Sequence, residues 1–373
     1  MRPSWHEQTA PVSPPFPAEE SGNFNILIVR NDQDRKAFDR GSKNPLMWIL
    51  KIAQYLIFYP VAAMSSISAI LLYIGWLFRS SNVVAKGGLV STTLQRIQFI
   101  YAGWRHQDLL DPRADARKAA PFHRRMKARP SMLDAVIRPY QSTNWNTRTR
   151  LTKLLAHYEA MVKLRWLFDP HEDREVTLCL LADVHPGLRL VLDEAIWFKD
   201  EGPMVISLFL DADRIFSIAF ALREEDGGLV AHVGAVQGRS PRDLPGILER
   251  YRELTRAAHG MRPRDLLIEL FRTLCASLAV SRILLVSDAY QQHRDPYFGQ
   301  SRNDVRACYD DVWLERGAVR IDETMFELPL YANLRTPDQI PPRKRGLYRR
   351  RYDMLATISR RMTETLAHLA GRV

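Results

Sequence analysis

From Ile52 to Phe78 the chain carries no charged residue, and this apolar run constrains the fold more than any other feature of the sequence. As one helix it would reach about 40 Å, beyond the roughly 30 Å of a bilayer's hydrocarbon core. Trp48 and Tyr55 lie near one end, and Tyr73 and Trp76 near the other, where amphipathic rings favour a membrane interface. Pro60 would kink one long helix or separate two short ones, so the run reads as a single span or as a re-entrant or interfacial hairpin. A buried pair of core helices is the competing reading. The run is too long and too far from the N-terminus for a secretory signal.

Charge points in a related direction. The chain has 53 Lys+Arg against 42 Asp+Glu, a formal +11. Much of that surplus sits after Pro341, in Arg343, Lys344, Arg345, Arg349, Arg350, Arg351, Arg360, Arg361 and Arg372, against Asp353 and Glu364. A second cluster, Arg113, Arg117, Lys118, Arg124, Arg125, Lys127 and Arg129, ends at Pro130. Such clusters attract phosphate-rich partners. No nucleic-acid reading module accompanies them, which favours an anionic membrane surface over DNA or RNA; the plain alternative is a solvated helix face.

Several chemistries are excluded. Cys179, Cys275 and Cys308 have no paired spacing, so neither a disulfide framework nor a cysteine zinc site is expected. H-E-x-x-H, G-x-S-x-G, the Walker loop and G-x-G-x-x-G are all missing, so no motif fixes a reaction or names a cofactor.

Residues 1–44 are proline-rich without an apolar period and read as a disordered tail, followed by the apolar membrane-associated segment at 45–80. Residues 89–167 have helical spacing, as in Leu151, Leu154, Leu155, Tyr158, Met161 and Val162, and form a helical layer. Residues 170–373 then read as an α+β domain. Strand-like runs at Val176–Ala182, Leu188–Leu192, Met204–Leu210, Arg214–Leu222 and Leu229–Val236 are joined in part by Asp211–Asp213 and Asp226–Gly228, which mark hairpins. Helices near Asp243–Ala258 and Arg264–Leu278 follow, then a strand at Arg282–Ser287, a helix near Asn303–Glu315, a strand at Met325–Pro329 and a basic C-terminal helix from about Arg345. The predicted fold is a helical N-terminal layer followed by a mixed β-sheet.

Within this frame, His232-Val-Gly-Ala-Val-Gln-Gly238, the stretch Leu254–Leu267 containing His259-Gly-Met-Arg-Pro-Arg264, and Ile283–Ser287 closely resemble the core of the VirK/YbjX family of bacterial proteins. Arg138-Pro-Tyr140 and His157-Tyr158 upstream, and Tyr309–Glu315, Leu328-Pro329, Ile340-Pro341 and Tyr348–Tyr352 downstream, extend the resemblance over roughly 95–365. One position departs from the family pattern: Ser287 is followed by Asp288, and the nearest imidazole is His293. The resemblance implies an envelope role linked to virulence and to resistance against cationic antimicrobial peptides, with no assigned reaction. The apolar run is expected to anchor the protein at the inner membrane, and a hairpin arrangement of it, with the unpaired cysteines, fits a folded part in the cytoplasm. The strand and helix order also resembles that of the GNAT acyltransferases in topology, although an extra helix replaces the usual acyl-CoA loop. Two function classes follow: an acyltransferase at the envelope, or a non-catalytic accessory protein that binds anionic lipid or polymer.

The candidate site is the start of the helix at Arg264. Free N–H groups there, Gly260 for close approach, and Arg262 and Arg264 with no acidic residue between Glu253 and Asp265 suit a phosphate- or carboxylate-bearing ligand. Gln237 and Gly238, which end a strand, are expected to converge on the same spot, and His259 is the candidate acid or base. The structural alternative is a simple helix end at Gly260 and a proline start at Pro263. His232, within a strand, reads as a packed core histidine.

Overall fold

The computed structural model of the chain describes residues 67–371, apart from 112–119, 165, 168–174, 195, 296 and 298–307. The expected tail at 1–44 and the apolar run up to residue 66 lie outside the described residues. The end of that run opens helix α1 (Ile67–Val84), which is followed by α2 (Leu89–Arg105), the short α3 (Gln107–Leu110), α4 (Ala120–Ala128), a 3-10 turn at Pro130–Val136 and α5 (Thr147–Lys163). Among the described residues no helix is long and apolar enough to cross a membrane. Asn146 starts α5 by accepting the Thr149 N–H, satisfying one of the free donors at its N-terminus. Helices α1 and α2 approach closely because position 103 is glycine: a Cβ there would stand 2.4 Å from Leu77 Cδ2. Tyr73 adds a hydrogen bond of 2.8 Å to the Gly103 carbonyl. Tyr73, Leu77, Phe99, Phe122, Leu133, Leu151, Leu154 and Tyr158 form the core of this layer.

The rest of the chain builds one eight-stranded sheet in the order β1-β2-β3-β4-β5-β6-β8-β7. The meander is β1 (Val176–Leu180), β2 (Leu188–Asp193), β3 (Met204–Leu210), β4 (Asp213–Glu225) and β5 (Gly228–Gly238). Its last turn has Asp226 and Gly227 both left-handed (φ 51° and 80°), the two-residue geometry that follows strand twist. Helices α6 (Ile247–Ala257) and α7 (Pro263–Ser277) then carry the chain back, so β6 (Val280–Val286) pairs parallel to β5. The remaining elements are α8 (Tyr309–Glu315), β7 (Val319–Arg320), β8 (Met325–Leu328) and α9 (Pro342–Ala370), and all other strand pairs are antiparallel. The α+β class, with helices first and a mixed sheet after them, is as the sequence predicts. β4 runs three residues past the expected Leu222, because Arg223 and Glu225 find partners in the helical layer. Strand β7 has two exposed residues and no apolar period to betray it.

Alternation along β4 divides the two faces. Phe220 points to α7, where its ring meets Phe271 edge-on at 4.9 Å between centroids. Arg223 points the other way, to α5, and donates to the Lys153 carbonyl at 3.0 Å. The helical layer is also tied to β2 by a buried ion pair of Arg125 with Glu194, whose main-chain carbonyl accepts from Arg129. Removing one partner of such a pair strands a buried charge, a loss of about 3–5 kcal/mol. Arg125→Ala is expected to lower the urea unfolding free energy by about that amount, and Arg125→Met with Glu194→Leu to recover much of it. Equal losses in the single and double variants would show that the pair does not join the layers.

Candidate functional site

The carboxyl end of the parallel pair is where the sheet opens. Along β5, Ala235 pairs with Ala219 and Val233 with Phe220, which leaves Gly234 as an extra, bulged residue. The parallel ladder to β6 also ends at Val233, opposite Leu285, while β5 continues to Gly238 along β4 alone. Only glycine fits the bulge, since a Cβ would lie 1.8 Å from the main-chain oxygen of Glu201. Glu201 is buried and fixed from two sides: Gln141 Nε2 donates to its main-chain oxygen at 3.1 Å, and Gln292 Nε2 to its carboxylate at 2.7 Å.

Helix α8 occupies the gap beyond the end of β6. Trp313 Nε1 donates to the Val286 carbonyl at 3.1 Å, and Asp288 and Asp310 exchange hydrogen bonds with main-chain N–H groups: Tyr309 N–H to Asp288 (3.2 Å) and Asp288 N–H to Asp310 (2.7 Å). These bonds aim the buried Tyr309 at the opening, where its phenol lies beside Gln237. Burial, aided by the negative charge of Glu201, raises its pKa so far that it keeps its proton at neutral pH. On the β4 side a shallow cleft of about 290 Å3 reaches Gln237 and Gly238 from Trp197, Arg214, Ser217 and Arg239. A second hollow, of about 450 Å3, lies in the seam between the layers, rimmed by Arg129, Glu194, Lys199 and Asp200. Among the described residues no group of His, Cys, Asp and Glu is arranged to hold a metal ion.

The structure divides the residues singled out from the sequence. Gln237 and Gly238 sit at the opening, and Ser287 joins them through α8, its hydroxyl 3.5 Å from Asp310. His259, Gly260, Arg262 and Arg264 lie instead at the start of α7, against α9. His259 takes a left-handed conformation (φ 52°) and its carbonyl accepts from Arg351 at 2.8 and 3.2 Å. Gly260 (φ 76°) leaves room for the same guanidinium, 3.1 Å from where a Cβ would be. Arg264 is not an uncompensated charge: it pairs with Asp265 at 3.2 Å and with Glu315 at 2.8 Å, because the end of α8 reaches across. Arg262 is exposed. His259, Gly260 and Arg264 thus meet Arg351, Asp265 and Glu315, while Gln237 meets Tyr309.

His232 is buried inside the sheet, 3.1 Å from the Glu225 carboxylate, which also binds Lys153 at 2.5 Å. Sequence reasoning missed Glu201, Gln141, Gln292 and Arg223. Each is a polar residue in a link or strand whose partners lie sixty or more positions away, so no local spacing marks it.

Burial, reinforced by Arg223, lowers the pKa of His232 to about 4 and of His157 to about 3. The His232 bond holds Glu225 down at about 2. Both histidines are therefore neutral in the fold but protonate in the unfolded chain near pH 6.5. Their contribution is complete above that pH and is lost as pH falls toward 4, by up to about 1.4 kcal/mol per unit for each histidine. The urea midpoint should be flat from pH 8 to 7, fall below 6.5, and fall less steeply in His157→Asn. An unchanged slope in that variant would refute the buried neutral histidine.

The match between residues 89–364 and DUF535, a family of proteins of unknown function, defines the class, and the chain belongs to that family. It is 27% identical over 239 residues to the uncharacterized protein YbjX of Escherichia coli K12, covering 60% of this chain and 69% of that one, which bears out the VirK/YbjX resemblance. Two uncharacterized proteins of Haemophilus influenzae are 30% identical over 186 residues and 27% over 144; the matches cover 49% and 38% of this chain and 59% and 45% of theirs. No solved structure matches the chain.

Proposed function

We propose that the sheet domain is a GNAT-like acyltransferase that takes its acyl group from a thioester donor and acts at the bacterial envelope. The observation that carries this reading is the parting of β5 from β6 at the bulged Gly234, with Tyr309, Gln237 and Glu201 at the opening. In open sheets, ligands sit outside the carboxyl ends of parallel strands, where the order of connection reverses. The succession of an antiparallel meander, a parallel crossover and a final hairpin whose second strand lies beside β6 is similar to GNAT topology; topology alone does not establish an activity.

The residues present suit a phosphate-bearing thioester. Arg239 and Arg242 are exposed on the link that leaves β5, close in sequence to Gln237 and Gly238, and offer charge-assisted bonds to phosphates. In this reading Tyr309 would give a proton to the departing thiolate, and the buried Glu201 carboxylate would accept one from an attacking amine or hydroxyl. The purified full chain should gain thermal stability with coenzyme A or an acyl-coenzyme A. Tyr309→Phe should reduce thiol release by about 10²-fold or more with donor affinity nearly unchanged, as expected for a lost proton donor. No stabilisation by donors from acetyl to palmitoyl would overturn the reading.

A second reading, a non-catalytic accessory protein bound to anionic lipid or polymer at the inner membrane, is favoured by α9. Arg343, Lys344, Arg349 and Arg350 are exposed there, with no acidic residue before Asp353. A cytoplasmic position of the domain and a part in resistance to cationic peptides belong to the same proposal. Binding to vesicles containing phosphatidylglycerol should weaken with salt, and in Arg349→Gln with Arg350→Gln by about 1 kcal/mol per charge removed. Binding indifferent to both would leave α9 a solvated face.

A further inference from the structure

The helical layer exposes a large apolar surface that the acyltransferase reading does not use. Helices α1 and α2 bury one stripe each, through Tyr73, Leu77 and Val84 and through Phe99 and Gly103. Their other faces point outward. On α2, Val90, Leu94 and Ile97 follow helical spacing on one side, at 63%, 50% and 37% exposure. On α1, Leu71, Leu72 and Phe78 are more than half exposed, and Leu89 beside the turn is 86% exposed. So many exposed large apolar side chains on two packed helices are uncommon on soluble surfaces, and such apolar surface marks interaction sites.

The charge around the patch identifies its occupant. Between Asp39 and Asp108 the sequence has no acidic residue. Arg79, Lys86, Arg96 and Arg105, all exposed, are the cations on the two helices and their turn. A protein partner with an apolar groove would not require the complete exclusion of carboxylates over so long a stretch; a surface of anionic headgroups over hydrocarbon would, because each carboxylate near it is repelled and each cation attracted. With an apolar face, flanking cations and, among the described residues, no helix long and apolar enough to cross a bilayer, the pair has the properties of an interfacial element.

We infer that the α1–α2 hairpin lies in the plane of an anionic membrane, with Leu71, Leu72, Phe78, Val90, Leu94 and Ile97 in the acyl boundary and Arg79, Lys86 and Arg96 at the headgroups. The inference rests on the membrane reading above and adds the α1–α2 hairpin, on the helical layer, to α9 as a surface for anionic lipid.

The test measures depth in the membrane directly. Leu72→Cys, Leu94→Cys and Ile97→Cys, each in a full chain with Cys308→Ser, are labelled with an environment-sensitive fluorophore and mixed with vesicles of phosphatidylcholine and phosphatidylglycerol containing an acyl-chain nitroxide. Arg252→Cys, on α6, is the control. The three hairpin probes should shift to the blue and be quenched about twofold or more, as for side chains buried at the headgroup boundary, and the control should not. Lys86→Gln with Arg96→Gln should weaken vesicle binding about thirtyfold, at about 1 kcal/mol for each cation near the surface, with the melting temperature unchanged. Vesicle-bound chain with unquenched hairpin probes would overturn the inference and leave the membrane reading standing; failure of the chain to bind vesicles would overturn both. Probes shielded without vesicles, in a chain that is dimeric in solution, would assign the face to a second copy and also overturn it.

Discussion

A guanidinium with no access to water sits at the centre of this structure. Arg223, on β4, is fully buried, and a charge in that position is tolerable only if its donors are used. It bonds to the Lys153 carbonyl on α5 and to the side chain of Gln141, and it lies 5.1 Å from the centre of the Trp145 ring. None of these partners belongs to the sheet. The sheet therefore cannot satisfy its own core without the helical layer, and the two halves with separate apolar cores form a single unit.

Gln141 passes the constraint on. Its backbone is left-handed (φ 52°), which turns the side chain so that Nε2 reaches the main-chain oxygens of Glu201 and His232 at 3.1 and 3.0 Å. One amide thus connects the buried arginine to the residue that lies over the β5 bulge and to the strand that carries it. The position of Glu201, and with it the shape of the sheet opening, is set in part by a residue that also serves the buried arginine. Loss of Gln141 would remove the bonds that join Arg223, Glu201 and His232, so a change there is felt at the opening.

The bulge has a simple consequence for function. A continuous β5 would stay paired with β4 and run alongside β6 to its end; the extra residue at Gly234 coincides with the end of the parallel ladder and leaves the four residues Ala235–Gly238 paired to β4 alone. Helix α8 then has space to bring Tyr309 and Trp313 to the strand ends. By contrast, the start of α7, with its arginines and free N–H groups, is occupied by contacts within the protein: Arg351 takes the His259 carbonyl, and Glu315 neutralises Arg264.

What the sequence determines by itself is periodicity and punctuation. The meander, the Asp226-Gly227 turn, the proline-started α7 and the basic α9 are local patterns, because strand alternation, helical spacing and turn chemistry act over a few residues. The charge-free and then acid-free stretch before Asp108 is likewise a fact of composition. Tertiary structure alone decides the rest: that Arg264 is paired, that Gln237 meets Tyr309 rather than His259, that Val90, Leu94 and Ile97 face outward, and that Arg223 needs Gln141. In each case the partner is distant in the chain, and side-chain charge, burial and hydrogen bonding depend on which distant residues the fold brings within a few ångströms, which spacing along a single sequence does not encode.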